Sequence, residues 1–344
     1  MRKYRKLLIS AALLIAVLAA AALLLYYRIA QPPETARLLP EGDLIFHASL
    51  KPVHAMDLTH AEPVVETLLA IVGIRPADYR DFALQTGIHV EADIDQVSMS
   101  RRDTADGRDV ESSEILAGRF DSDRLRNYLQ KISSTTEQYR EHTIYAVQHE
   151  GHLVRVALLD KTRVAVTNMA SPELLHGIID RSQKPARGPW LLEAHYHDVP
   201  STSLAWFIDR LPNHADNVHL PGGLSFSFPP DSIAVASLRY TGSLLFRADV
   251  FTQSDAQAKD IVDAANTHLS LVRSIGQSMG ARGPDKDIKA AFDSVEATQK
   301  ENVAVFTATI PQSLLRIVLS EAQNAEAPSP PTPSTSPTPR HRKR

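Results

Sequence analysis

From Leu7 to Tyr27 the chain carries no charge, and Ser10 is the one small polar side chain before the paired tyrosines. A helix of that length spans about 30 Å, the thickness of a bilayer's hydrocarbon core. Backbone groups in lipid must satisfy one another, so the run predicts a transmembrane helix. Tyr26 and Tyr27 end it with rings suited to the headgroup zone. Arg2, Lys3, Arg5 and Lys6 precede it, while only Arg28 and Arg37 follow closely. That bias places the N-terminus in the cytoplasm and the rest of the chain outside. The competing reading is a cleaved signal peptide, with Ala19–Ala22 as a candidate cleavage region. The apolar run continues through Leu23–Tyr27, longer than a signal core of 7–15 residues, and this favours an uncleaved anchor.

Past the anchor, apolar residues recur with helical and strand periods. Ala258, Ile261, Val262, Ala265, Leu269, Val272, Ile275 and Met279 form one helical face, opened by Ser254 with Gln257 as a capping box. Asp121 caps a shorter helix with Leu125, Tyr128, Leu129 and Ile132 on its face. Ser171-Pro172, Pro311, Pro76 and Pro63 each open a further helix, and Gly87 stands where a left-handed C-terminal cap belongs. Strands are predicted at 44–50, 94–100, 114–120, 143–148, 153–159, 163–167, 203–208, 233–240, 244–251 and 302–309. They cluster as hairpins and meanders with helices between the clusters. The fold class is therefore α+β, with mainly antiparallel sheets, packed amphipathic helices and one preceding transmembrane helix.

A repeat runs through this pattern. Val164-Ala165-Val166-Thr167 leads to Pro172, Leu174-Leu175 and Ile178; Val303-Ala304-Val305-Phe306 leads to Pro311, Leu314-Leu315 and Ile317. Upstream of each, a strand enters a capped helix. Two related halves are the expectation, against coincidence between common strand–Pro–helix steps. The organisation is then an anchor over residues 1–30, a first α+β half over 34–186, a second over 187–322, and a tail over 327–344, with the boundary near Gly188-Pro189. The tail holds six prolines and ends Arg340-His341-Arg342-Lys343-Arg344. It has nothing to bury, so disorder is expected. Four exposed cations there fit a solubilising tail better than a tether to an anionic envelope polymer or lipid headgroup.

Composition narrows the function. With 344 residues, 43% hydrophobic residues and no cysteine, the chain is no disulfide scaffold, thiol enzyme or Cys-ligated metal protein. The net charge is −3, but residues 1–28 carry +5 and 328–344 carry +4, leaving −12 on the body. That argues against nucleic acid as a partner, because phosphate backbones need a concentrated cationic footprint.

Leu39-Pro40-Glu41-Gly42-Asp43, Thr86-Gly87-Ile88 with Asp93-Ile94-Asp95-Gln96-Val97, and Gly118-Arg119-Phe120-Asp121 together resemble uncharacterised bacterial proteins with one N-terminal anchor and an extracytoplasmic α+β body. The resemblance covers roughly residues 38–320 and includes no catalytic motif. It implies a location and a fold, not an activity.

Candidate chemistry is sparse. His195-Tyr196-His197-Asp198 partly resembles the HxHxD metal motif of metallo-β-lactamase-like hydrolases. On a strand, His195 and His197 would share one face and could chelate zinc or copper; a solvated loop is the plainer alternative. His149-Glu150-Gly151-His152 lacks HExxH spacing and reads as a turn. His47, His54 and His60 read as surface or boundary residues. Asp93/Asp95 and Asp285/Asp287 read as turn and cap residues rather than calcium ligands. Arg101–Asp109 reads as a solvated hairpin tip. Serine-hydrolase and phosphate-loop motifs are missing. Trp190, Trp206, Phe207, Phe226 and Phe228 mark either core or an apolar groove between the halves. No catalytic, cofactor-binding or metal residue is assigned, and no cofactor is expected. The leading expectation is an inner-membrane, single-pass envelope protein with a periplasmic body that binds an envelope protein or apolar ligand. The competing class is a metal-dependent hydrolase using His195 and His197.

Overall fold

The computed structural model describes residues 31–51, 76–103, 110–149, 151–184, 187–211, 218–220, 224–226, 228–278, 289–291 and 293–311. In chain order the elements are α1 (Glu34–Arg37), β1 (Leu44–Ser49), α2 (Pro76–Thr86), α3 (Val90–Asp93), β2 (Ile94–Asp103), β3 (Val110–Gly118), α4 (Ser122–Ile132), β4 (Thr135–Tyr139), β5 (His142–His149), β6 (His152–Leu158), β7 (Arg163–Thr167), α5 (Pro172–Gln183), α6 (Trp190–His195), a 3-10 turn (Tyr196–Asp198), β8 (Ala205–Arg210), β9 (Val218–Leu220), β10 (Leu224–Phe226), β11 (Ile233–Tyr240), β12 (Leu244–Phe251), α7 (Asp255–Ser278), β13 (Glu296–Lys300) and β14 (Val303–Ile310). Twelve strands form one sheet in the order β13-β14-β12-β11-β8-β1-β2-β3-β7-β6-β5-β4, and β9 pairs with β10 separately. Every pairing is antiparallel. The α+β class with mainly antiparallel sheet is what the sequence pattern leads one to expect.

The sheet is ordered about the central pair β1–β8. Moving outward, β2, β3, β7 and β6 on one side correspond to β11, β12, β14 and β13 on the other. Helix α4 follows β3, and α7 follows β12, in the same topological place. Hairpin β4–β5 is an addition at one edge.

Both faces of the sheet are covered. On the first face, Ala36, Leu38 and Leu39 beside α1, Leu175, Ile178 and Ile179 of α5, and Leu191 and Leu192 of α6 pack on Ile45, Ile115, Ala165, Ile208 and Val235. On the second, Phe82 and Ile88 join Leu125 and Leu129 of α4 over Val164, Val156 and Tyr145. Farther along the same face, Ile261, Val262, Ala265 and Leu269 of α7 lie on Ala234, Val250 and Ala304. Consecutive strand residues serve opposite faces, as the two-residue period requires: Val164 faces α4 and Ala165 faces α5.

Local signals explain where the helices start. Asp121 accepts hydrogen bonds from the Asp123 and Arg124 amides at 3.2 and 3.0 Å, satisfying two donors that have no partner within α4. Asp121→Ala is expected to lower stability by about 1 kcal/mol and Asp121→Ser by much less, read as urea midpoints. Ser254 accepts from the Gln257 amide at 3.3 Å, while the Gln257 side chain accepts from Gln253 rather than from the cap residue. Ser171 does not cap α5; its hydroxyl donates to Glu173 instead. Gly87 takes φ +72° after α2, the left-handed cap expected there.

The strands β4 and β13 have no apolar alternation, and the hydrophobic pattern does not predict them. Their sequences, Thr-Thr-Glu-Gln-Tyr and Glu-Ala-Thr-Gln-Lys, are largely exposed. They form because β5 and β14 offer open backbone edges, and polar side chains suit the outermost strand of a sheet. The expected helices after Pro63 and Pro311, the basic tail and the apolar run Leu7–Tyr27 lie outside the described residues. Among the described residues, no helix is long and apolar enough to cross a membrane.

Candidate functional site

The His195–Asp198 cluster is not on a strand. His195 ends α6, and Tyr196–Asp198 form the 3-10 turn after it. The shared-face geometry expected of a strand is therefore absent. Instead, His195 Nδ1 lies 3.3 Å from Asp198 Oδ2, and His197 Nε2 lies 3.4 Å from Asp198 Oδ1. The two imidazoles lie against different oxygens of one carboxylate, with His195 in hydrogen-bond contact and His197 largely exposed. The His195 ring also packs on Phe251 at 5.6 Å and edge-on to Trp190 at 6.3 Å, which fits a helix-end clasp. Among the described residues no group of three His, Asp or Glu side chains is placed to hold a metal ion.

His47 is a correction to the surface reading. It is 4% exposed, on the first face of β1, where register sets it between Trp206 of β8 and Ser98 of β2. Its Nδ1 shares a 2.8 Å hydrogen bond with Ser98 Oγ, and Ser98 Oγ shares another of 2.8 Å with Thr35 Oγ1. Its ring lies 5.4 Å from that of Trp206, tilted by 30°. Burial lowers its pKa to about 4, so it is a neutral imidazole at physiological pH. A serine beside a histidine is the pairing nucleophilic catalysis uses. Here α1 covers the pair and Ser98 is fully buried, so no substrate can reach it. The signal that finds His47 is its phase: it stands two residues from Ile45 in the same strand, on the same face.

Small polar groups continue across this covered face. Ser113 Oγ and Thr167 Oγ1 share a 2.7 Å hydrogen bond, and both side chains are buried. Thr167 Oγ1 also donates to the Ser112 carbonyl at 2.8 Å. The strip is a seam of polar groups inside an apolar layer, hydrogen-bonded to one another except at Ser100, opposite Ser113, whose buried hydroxyl has no partner among the described residues.

Trp190, Trp206, Phe207 and Phe228 do not line one groove; the Phe226 side chain lies outside the described residues. Trp206 is buried on the first face, while its neighbour Phe207 packs with the α7 cluster on the second. Phe228 joins Phe207 there, and Trp190 is exposed at the start of α6, under the Arg210 guanidinium at 5.4 Å. Other sequence candidates lie in a turn, a helix end and an ion pair. His149 and His152 face each other across the tight turn joining β5 to β6. Asp93 accepts from the His89 amide at 2.9 Å, and Asp95 pairs with Lys51 at 3.5 Å. His54, His60, Asp285, Asp287 and the loop 104–109 lie outside the described residues.

Sequence reading missed a cleft of about 290 Å³ between α1 and the end of α5. Arg37, Arg181 and Lys184 line it together with Glu34. Arg181 donates through Nε to the Leu38 carbonyl at 2.9 Å, yet its Nη2 is buried without a hydrogen-bond partner, and so is Arg37 Nε. Burial pulls the Arg181 pKa below its ordinary value. Glu34 is engaged by Arg163. These residues lie almost 150 positions apart, so only the packing of α1 against α5 reveals them as a group.

No family model and no curated protein matches this chain. Among solved structures, crystal form IV of TP0453 is similar at a TM-score of 0.44 and 10% identity, covering 83% of this chain and 96% of that one. Crystal form III of TP0453 gives 0.44 and 11% over 85% and 99%, and form I gives 0.43 and 9% over 85% and 98%. At this level the likeness transfers neither a residue nor a role.

Proposed function

We propose that this chain is a single-pass inner-membrane protein whose periplasmic body acts by binding rather than by catalysis. The observation that carries the reading is the uncharged run Leu7–Tyr27 with its basic N-terminal flank, followed closely by α1. Only residues 28–33 separate the run from α1, and Ala36, Leu38 and Leu39 are then sunk in the core. At about 3.5 Å per residue, that spacer holds the body within roughly 20 Å of the headgroups. Confinement to a membrane surface raises the effective concentration of any membrane-bound partner. The binding reading is supported by the use of the histidines: His47 is sealed in the core, and His195 and His197 are tied to one carboxylate.

The body is proposed to consist of two related halves, residues 34–186 and 187–322. The matched strand order on either side of β1–β8 supports this, as does the parallel entry into each half. Pro33 precedes α1 at φ −52°, ψ 141°, and Pro189 precedes α6 at φ −59°, ψ 151°.

The topology has a direct test. A reporter active only outside the cytoplasm, fused after residue 322, is expected to be active, and the chain is expected to stay with membranes washed at alkaline pH. Silence of an expressed fusion would reverse the orientation. Release of the full-length chain by the wash would remove the anchor.

A further inference from the structure

The cleft between α1 and the end of α5 is a local exception to an acidic body. Arg37, Arg181 and Lys184 bring three cations to it, against Glu34, whose charge Arg163 already engages. Glu41 and Asp180 also act on Arg181, but Arg140 pairs with Asp180, and the carbonyl end of α5 contributes a partial charge of only about −0.5, so the cations retain an excess. Two guanidinium nitrogens, Arg37 Nε and Arg181 Nη2, are withdrawn from water and lack acceptors. A buried donor left unpaired is costly, more so on a charged group, and an anion that these side chains turned towards would recover that cost. Neither polar neighbour competes for that anion: Ser182 Oγ donates to the Ile179 carbonyl at 2.7 Å, and Gln183 Oε1 accepts from Arg140 at 2.8 Å. Lys184 lines the cleft, is exposed and makes no ion pair among the described residues, leaving its ammonium available to an anion.

The cleft also lies where the chain leaves the proposed anchor. Arg37 is in α1, the first element after the spacer. Gly188 lies close to it: a Cβ added at Gly188 would sit 3.5 Å from Arg37 Cα. Two residues on, the Trp190 amide donates to Glu41 at 2.9 and 3.0 Å, while the indole is 52% exposed, although large apolar rings are usually covered. Trp190 does not line the cleft, but it is exposed on the segment that passes Arg37, and an exposed indole under the Arg210 guanidinium suits a headgroup layer.

We propose that this cleft binds a phosphate-class oxyanion, supplied in place by the headgroup of an anionic phospholipid. The lipid source rests on the anchored reading; the oxyanion chemistry does not. Arg37 and Arg181 would take the phosphate oxygens, with Lys184 closing over them, and Trp190 would rest in the interface beside them.

The test uses the full-length chain in nonionic detergent. It is titrated calorimetrically with inorganic phosphate, with short-chain phosphatidylglycerol and with short-chain phosphatidylcholine. Saturable binding of phosphatidylglycerol is expected, at least tenfold tighter than that of inorganic phosphate or phosphatidylcholine. Lys184→Glu and Arg37→Gln are each expected to weaken it at least tenfold; Lys184 is exposed at the helix end, so its replacement leaves the fold intact. Equal affinity for inorganic phosphate and the lipid would overturn the lipid source and retain the oxyanion. No saturable binding of any probe, or unchanged binding in Lys184→Glu and Arg37→Gln, would overturn the site. Alkaline release of the chain with lipid binding intact would defeat the anchor alone.

Discussion

Gly118→Ala is expected to destabilise the protein by about 3 kcal/mol or more, because the new methyl would overlap backbone rather than side chain. Gly118 ends β3, and a Cβ there would run into the Asp93 carbonyl oxygen and lie 3.0 Å from both Asp93 C and Ile94 Cα. None of these atoms can swing away. Asp93 ends α3 and Ile94 starts β2, the Arg119 amide donates to that same Asp93 carbonyl at 2.8 Å, and the Gly118 amide donates to the Thr162 carbonyl at 2.8 Å. The β2–β3 register shifts just beyond this point, between Ile94 and Gln96, so the two backbones already meet at an irregularity. Gly177→Ala is the contrasting case. Within α5 the added methyl would meet only Arg181 Nη1, at 3.3 Å, the far end of a flexible side chain. Removing a helix-interior glycine stabilises by up to about 1 kcal/mol. Urea unfolding of both variants should therefore move the midpoint in opposite directions. A Gly118→Ala midpoint equal to the parent's would show that β2 and β3 are free to separate there.

The second large effect is on acid stability. His47 has a folded pKa of about 4 against 6.5 for the free side chain. Between those values the unfolded chain binds a proton that the folded chain refuses. The stability associated with neutral His47 is fully present above pH 6.5 and is lost as the pH falls towards 4. Over that window the loss amounts to about 3 kcal/mol. Glu114 contributes with the opposite sign: burial raises its pKa, so its carboxylate costs stability at neutral pH and acidification relieves that cost. The informative quantity is therefore the difference between parent and His47→Gln. Gln retains a partner for Ser98 but does not titrate. Urea unfolding at pH 7 and pH 4.5 should show the variant losing markedly less stability than the parent. Parallel pH profiles would mean that His47 is protonated in the folded protein.

Much of the fold is legible along the chain, where single residues act locally. Asp121 marks the start of α4 because a carboxylate can satisfy free helix amides, and Gly87 marks the end of α2 because a left-handed turn suits glycine. The edge strands β4 and β13 are invisible to the same reading, since their pairing comes from backbone edges supplied by β5 and β14. The candidate site is less legible still. His195 and His197 stand out by spacing, but spacing is not geometry: a helix end followed by a 3-10 turn hands each ring to a different oxygen of Asp198.

The clearest division lies in β2. The alternation Gln96, Ser98, Ser100 against Val97, Met99 is written in the sequence and determines that these residues occupy opposite faces. It would send the serines to water. The tertiary structure instead lays α1 over them, brings Thr35 and His47 to Ser98, and leaves Ser98 and Ser100 fully buried. A two-residue period specifies which side chains share a face. Whether that face meets solvent depends on which distant segment covers it, and the same long-range packing of α1 on α5 is what assembles Arg37, Arg181 and Lys184 into one cleft.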